Sequence, residues 1–190
     1  MEQPIATNRS ATGIPTGKLA TYWVIGSEIL IFGGLIMCYL LFRLRNEGWS
    51  VYASHTNVYA GATNTFVLLT SSLFIVLAHD AAHKGDSNKA FKFTWFTILG
   101  GLIFMCVKAY EYTTEITHGY TIFTNTFWSF YYIATGLHGL HVLAGMVIMA
   151  IISFDVKKKK NMHRVELIGL YWHFVDIVWI FLFPLLYIAK

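Results

Sequence analysis

The chain alternates long apolar runs with short polar connections. Five runs each approach the roughly 20 helical residues that cross ~30 Å of hydrocarbon: about 19–42, 63–82, 93–112, 127–154 and 167–189. None shows the period-two alternation of barrel strands, so each is predicted to be an α-helix, whose backbone is satisfied internally within a bilayer. The predicted fold is all-α: a polytopic membrane protein built as a bundle of five transmembrane helices. Residues 1–18 are predicted to form a polar N-terminal tail, and 19–190 the transmembrane domain. The connections are too short to fold as a soluble domain, and no internal repeat is present. The tail carries Pro4, Pro15 and several Ser and Thr residues and lacks the apolar centre of a secretory signal. The first span is therefore expected to act as its own insertion signal.

Composition agrees with the pattern. Hydrophobic residues make up 56% of the 190 positions and charged residues only 13%, against about 25% charged in a soluble domain. The net charge of +4 sits in loops rather than on a soluble face, so no nucleic-acid partner is expected. With five helices the termini face opposite sides. Arg9, Lys18, Lys84, Lys89, Lys92, Lys157, Lys158, Lys159, Lys160 and Arg164 fall on the N-terminal side, and Arg43, Arg45 and Lys190 on the other. Ten against three places the N-terminus inside and the C-terminus outside. The run Lys157–Lys160 reads as a topology anchor that can also meet anionic lipid headgroups.

Smaller signals refine the bundle. Tyr22, Trp23, Trp95, Trp128, Tyr131, Tyr132 and Tyr187 mark span ends and predict an aromatic belt. Gly33 and Gly34, Gly100 and Gly101, and Gly136, Gly139 and Gly145 predict close helix packing. Cys38 and Cys106 read as small buried thiols.

Charged and protonatable residues inside the spans carry the chemistry. An ion in hydrocarbon costs roughly 2.5–3.5 kcal/mol on insertion scales, so its retention signals a use. Glu28 lies ten residues beyond Lys18, and Asp176 ten beyond Glu166, each roughly 15 Å deep. His138 reaches a similar depth from the opposite face; His141 lies one turn further, and His173 shares a helix side with Asp176. These groups predict a buried polar layer in which a histidine meets a carboxylate. Lys108 and Glu111 have salt-bridge spacing near the outer end of the third span, where Lys can snorkel. Glu115 and His118 are expected in solvent. His79 and His83 are separated from His138 and His141 by roughly 10 Å of depth. One dinuclear site, with metals about 3.5–4 Å apart, does not span that gap, and no metal ligands are assigned.

Several motifs together resemble subunit III of haem-copper oxidases, in its short five-helix bacterial form. Asn64–Ser72 leading to Ala78 and His79, and Lys108-Ala109-Tyr110-Glu111-Tyr112, resemble two of its helices. Phe130–Val142, containing Thr135-Gly136-Leu137-His138-Gly139-Leu140-His141-Val142, is similar to the family's TGFHGLHV signature. Tyr171–Trp179 is similar to its WHFVDVVW signature, and Ser27-Glu28 precedes an apolar run ending in Phe32. The resemblance covers all five spans.

The resemblance implies a subunit without haem or copper, those centres lying in partner subunits. It implies contact with oxidase subunit I above all, with subunit II and other subunits, with bound phospholipid, and with a respiratory supercomplex. Its implied role is to stabilise subunit I and support its proton uptake during aerobic electron transport, in the bacterial inner membrane. Cytochrome c oxidase is the foremost assignment. A quinol oxidase subunit, an accessory subunit of nitric oxide reductase and a membrane di-iron oxygenase are the alternatives. Glu28 matches the family's carbodiimide-reactive carboxyl, a reaction that needs a protonated acid in an apolar site. Glu111, His138, His141, Trp172, His173 and Asp176 are implied in helix packing or lipid contact. No catalytic residue is implied. Longer members have two further helices ahead of the matching stretch, a pair that another subunit can supply, so the lipid cleft those helices form is not carried over to this chain.

Overall fold

The computed structural model describes residues 15–46 and 48–188; Arg9 and Lys190, two of the charges used for orientation, lie outside them. Six α-helices follow in order: α1 (Thr16–Arg45), α2 (Trp49–Ala53), α3 (Val58–His83), α4 (Ser87–Thr117), α5 (Thr126–Lys157) and α6 (Arg164–Phe183). A π-helical turn, Pro184–Ile188, continues α6. No β-strand occurs among the described residues. Five helices are long and apolar enough to cross a membrane: α1, α3, α4, α5, and α6 with its π-turn. The chain is an all-α, multi-pass membrane protein.

The helices outrun the apolar runs that predicted them. α4 continues to Thr117 through a polar turn in which Thr113, Thr114 and Thr117 return their hydroxyls to carbonyls three or four residues back. Such self-satisfied hydroxyls let a helix continue where hydropathy falls. Side-chain caps set three starts: Asn57 accepts from Ala60 N (3.2 Å), Asp86 from Lys89 N (3.1 Å) and Asn125 from Trp128 N (3.0 Å). The Lys89 amide and ammonium hold the Asp86 carboxyl below the usual carboxylate range.

α3, α4, α5 and α6 close a four-helix ring, with α3 and α5 each packed against α4 and α6. α1 lies outside the ring, against α6 and more lightly α5; among its residues only Phe32 and Tyr39 are buried. An ion pair from Lys18 to Glu166 at one end, and a bond from Tyr39 Oη to Leu185 O (2.7 Å) at the other, set α1 parallel to α6.

The π-turn follows from Pro184, which has no N–H to continue the ladder. Its neighbouring carbonyls are taken up from outside α6. Leu185 O accepts from Tyr39 Oη, which in turn accepts from Trp49 Nε1 (3.1 Å), and Leu186 O accepts from Thr56 Oγ1 (3.4 Å). The short helix α2, absent from the hydropathy pattern, exists to deliver Trp49 to this junction. Unsatisfied carbonyls at membrane depth cost several kcal/mol each, which explains why an irregular turn is so fully supported.

Several expectations change here. Trp128, Tyr131 and Tyr187 are wholly buried; they belong to the core, while Tyr22, Trp23 and Trp95 remain exposed as a belt requires. Of the glycines, Gly100, Gly101 and Gly145 meet close neighbours: an added Cβ would stand 2.6 Å from Ser71 Cβ, 2.7 Å from Met146 Sδ and 2.9 Å from Trp172 Cε3. Gly136 and Gly139 stand at ordinary contact distance, and Gly33 and Gly34 face open space within the chain. Cys38 and Cys106 are free and exposed rather than buried.

Candidate functional site

The polar residues inside the spans gather in three clusters. The first joins α1 to α5. Glu28 Oε2 lies 3.0 Å from His141 Nε2, close enough for an ion pair but not aligned as a hydrogen bond. His141 Nδ1 faces Leu137 O at 2.7 Å; a carbonyl only accepts, so Nδ1 carries a proton and Nε2 is the nitrogen presented to Glu28. Phe32, one turn along α1, lies edge-on to the His141 ring, with centroids 5.2 Å apart. Tyr171 of α6 donates to His141 O (3.2 Å). A histidine does meet a carboxylate, and of the two histidines of α5's signature it is His141 and not His138. The Glu28 side chain is 17% exposed, because α1 packs on one side only.

The second cluster ties α4 to α5 and the π-turn. Lys108 and Glu111 are 2.9 Å apart and almost fully buried. Lys108 also donates to Tyr131 Oη (3.1 Å) and Tyr187 Oη (2.8 Å), so all three ammonium protons have acceptors. The rings of Tyr112 and Tyr131 lie 4.8 Å from Nζ, and those of Tyr187 and Trp179 5.6 and 5.8 Å away, which adds cation–π attraction in a desolvated setting. The snorkelling expectation fails for this reason: three acceptors and a ring of aromatic faces wait inside. Glu115, expected in solvent, is buried one turn beyond Glu111, because α4 continues to Thr117; His118 is exposed.

The third cluster lies along the seam of α3 and α6. Trp172 Nε1 donates to Ser71 Oγ (3.0 Å), and the adjacent Ser72 Oγ is 2.6 Å from His173 Nδ1. Trp172 fills the space left by Gly101 and Gly145, so three helices meet on one indole. Asp176, one turn beyond His173, is buried, and neither carboxyl oxygen has a hydrogen-bond partner among the described residues. His138 is fully buried between Phe104 and Trp179, with ring centroids 5.4 and 5.2 Å away. Both its nitrogens lack a partner among the described residues.

The two spaced histidine pairs do not converge. His79 lines a cavity between α3 and α6, whereas His138 is sealed by aromatic rings in the core. No group of three or more His, Cys, Asp or Glu among the described residues is placed to hold a metal ion. The residues that sequence reasoning missed are partners rather than charges. Tyr131 and Tyr187 complete the lysine site, and Ser71 and Ser72 receive the tryptophan and histidine. Their sequence distances, 79 residues for Lys108 to Tyr187 and 101 for Ser72 to His173, carry no local periodicity that would pair them.

Comparison with known proteins accounts for this arrangement. The sequence model of the family described as "Cytochrome c oxidase subunit III" matches residues 10–190. Similar proteins named cytochrome c oxidase subunit 3 include one from Thermostichus vulcanus, 36% identical over 85% of this chain and 82% of that protein. Another, from Corynebacterium diphtheriae, is 34% identical over 91% of this chain and 88% of that one. A third, from Bacillus sp. strain PS3, is 30% identical over 97% and 92%. The family match and the two signature helices that build the seam and the Glu28–His141 contact converge: the chain belongs to the cytochrome c oxidase subunit III family.

Proposed function

We propose that this protein is the non-redox subunit III of a bacterial haem-copper terminal oxidase, foremost a cytochrome c oxidase. It stabilises subunit I and supports that subunit's proton uptake during aerobic electron transport. The haem and copper belong to partner subunits. The N-terminus lies inside, the C-terminus outside, and the helices sit in the inner membrane among phospholipids, with subunit II and a respiratory supercomplex as further neighbours. Residues 1–18 serve as a tail to the transmembrane domain.

The observation that carries this reading is the placement of the ionisable groups. Lys108 and Glu111 are paired inside the bundle, His138 is enclosed by rings, and Glu28, more exposed than the buried Glu111, Glu115 and Asp176, sits on the helix least packed within the chain. Such a molecule spends its buried charge on holding helices together. It leaves α1, with large exposed side chains such as Trp23, Leu30 and Met37, for contact with lipid or another subunit.

The test is co-purification. An affinity tag on this chain should recover a haem-copper subunit from solubilised membranes in equal amount, with the haem spectrum of an oxidase. Recovery of the chain alone, or with stoichiometric iron bound to its own histidines, contradicts the proposal. The identity of the electron donor to the recovered complex separates cytochrome c oxidase from quinol oxidase.

A further inference from the structure

The seam of α3 and α6 holds a cavity of about 210 Å³ lined by Ile75, Val76, His79, Glu166, Leu170 and His173, with Gly169 as its floor. Its polar residues form a file. Glu166, Gly169, His173 and Asp176 follow at spacings of three and four along α6, one face of a helix. His79 and Ser72 face them from α3. The file opens at the end of the bundle that carries Lys18 and the Lys157–Lys160 run, where Glu166 pairs with Lys18. It runs inward to His173, nine residues from the start of α6, roughly 14 Å along the helix, about half the ~30 Å hydrocarbon core.

Glu166 pairs with Lys18 at the mouth, and His173, deepest of the polar lining, needs hydrogen-bond partners for both ring nitrogens. His173 Nδ1 is taken by Ser72; apart from His79, the rest of the lining is apolar. Just beyond lies Asp176, 4% exposed, with neither carboxyl oxygen aligned to any described residue. A buried carboxyl of this kind calls for water, and the cavity, which ends at His173 one turn from Asp176, is large enough to hold water. The groups that face the file are His79 and Ser72 from α3, Glu166 and His173 from α6, and Lys18 from α1 through Glu166.

We infer that the α3–α6 seam is a water-filled inlet that opens at the lysine-rich end and brings Asp176 into proton exchange with that aqueous side. A proton passes from water near His79 and Glu166 onto His173 Nε2. The proton on Nδ1 leaves to Ser72 Oγ as the Ser72 hydroxyl proton passes through water to the Asp176 carboxylate, which becomes the neutral acid. Reversal returns the proton, so no net charge accumulates. The inference does not depend on which subunits surround the chain.

The test uses the assembled complex in native membranes, with Cys38→Ser and Cys106→Ser removing the two free thiols. Single cysteines are introduced by His173→Cys and Leu170→Cys in the inlet, and by Ile177→Cys on the exposed face as control. A membrane-impermeant, thiolate-directed reagent added from the lysine-rich side should modify 170 and 173 about tenfold or more faster than 177, because only wetted thiols ionise. Gly169→Leu, placed where an added Cβ would stand 3.6 Å from Ile75 Cγ1, should remove that advantage. If His173→Cys does not accumulate, Leu170→Cys decides alone. Infrared difference spectra against Asp176→Asn then follow the Asp176 carboxyl signal, which should respond to D2O quickly in the wild type and about tenfold more slowly in Gly169→Leu. Labelling at 170 and 173 no faster than at 177, or an Asp176 signal indifferent to the Gly169 filler, overturns the inference.

Discussion

At the scale of single residues, the decisive quantity is whether a buried charge has its full set of partners. Lys108 does: one carboxylate, two phenols and four aromatic faces surround it. Removing one partner of a buried pair strands the other, at a cost of roughly 3–5 kcal/mol, whereas replacing both with apolar residues is near neutral. Lys108→Met should therefore lower the thermal unfolding temperature of the purified complex sharply, and Lys108→Met with Glu111→Leu should restore most of it. Equal loss in the single and double variants would show that the site is held by packing and not by charge. Glu28 is a contrasting case. An amide keeps a polar contact to His141, so Glu28→Gln should leave assembly intact, as judged by subunit stoichiometry, while abolishing carbodiimide labelling at that position. The charges inside the spans, and the Lys108–Glu111 pairing at i, i+3, were legible from the residues, whereas the burial of Glu115 was not, because it depends on α4 continuing to Thr117. Nor were the other partners: His141 and His138 are three residues apart, and only the rotation of α5 decides which meets Glu28 and which is sealed by Phe104 and Trp179.

At the scale of elements, capping and small-residue contacts set where helices begin and how closely they approach. Asn125 holds the first turn of α5 through Trp128 N; Asn125→Ala should cost ~1 kcal/mol, seen as faster amide exchange in that turn with the bundle otherwise intact. The Asp86 cap is pH-dependent. Its carboxyl lies below its ordinary range when folded, so its contribution is present above the unfolded-state value and is lost as pH falls through the folded one. Protection of the first turn of α4 should drop in acid accordingly. Gly145 tests the packing around Trp172. Gly145→Val drives a branched side chain into the Trp172 indole, which is already pinned to Ser71, and overpacking of this kind costs about 1–3 kcal/mol. The same change at Gly33, which faces open space in the chain, should leave the isolated bundle's stability unaltered. The number and order of membrane helices could be read directly from hydropathy, because a span must be continuous and apolar. The α2 helix and the π-turn could not, since each exists to satisfy carbonyls near Pro184 through Tyr39, Trp49 and Thr56, a relation across more than a hundred residues.

At the scale of the whole molecule, a four-helix ring holds its polar groups inside while α1 stands against one flank. The groups expected in one buried polar layer divide into a sealed histidine, a carboxylate on the outer helix and an aspartate at the end of a polar seam, with the lysine site apart from them. Under the proposed function, the redox centres lie in partner subunits and this chain's buried charges hold its own helices together. The central claim is that this chain supports an oxidase without carrying its cofactors. It is tested most directly by deleting the chain and purifying the remaining complex, then recording the haem absorption spectrum and the number of turnovers before activity decays. The account predicts an unchanged spectrum with a markedly shortened working life; a lost haem signal in an otherwise assembled complex, or an undiminished lifetime, would contradict it.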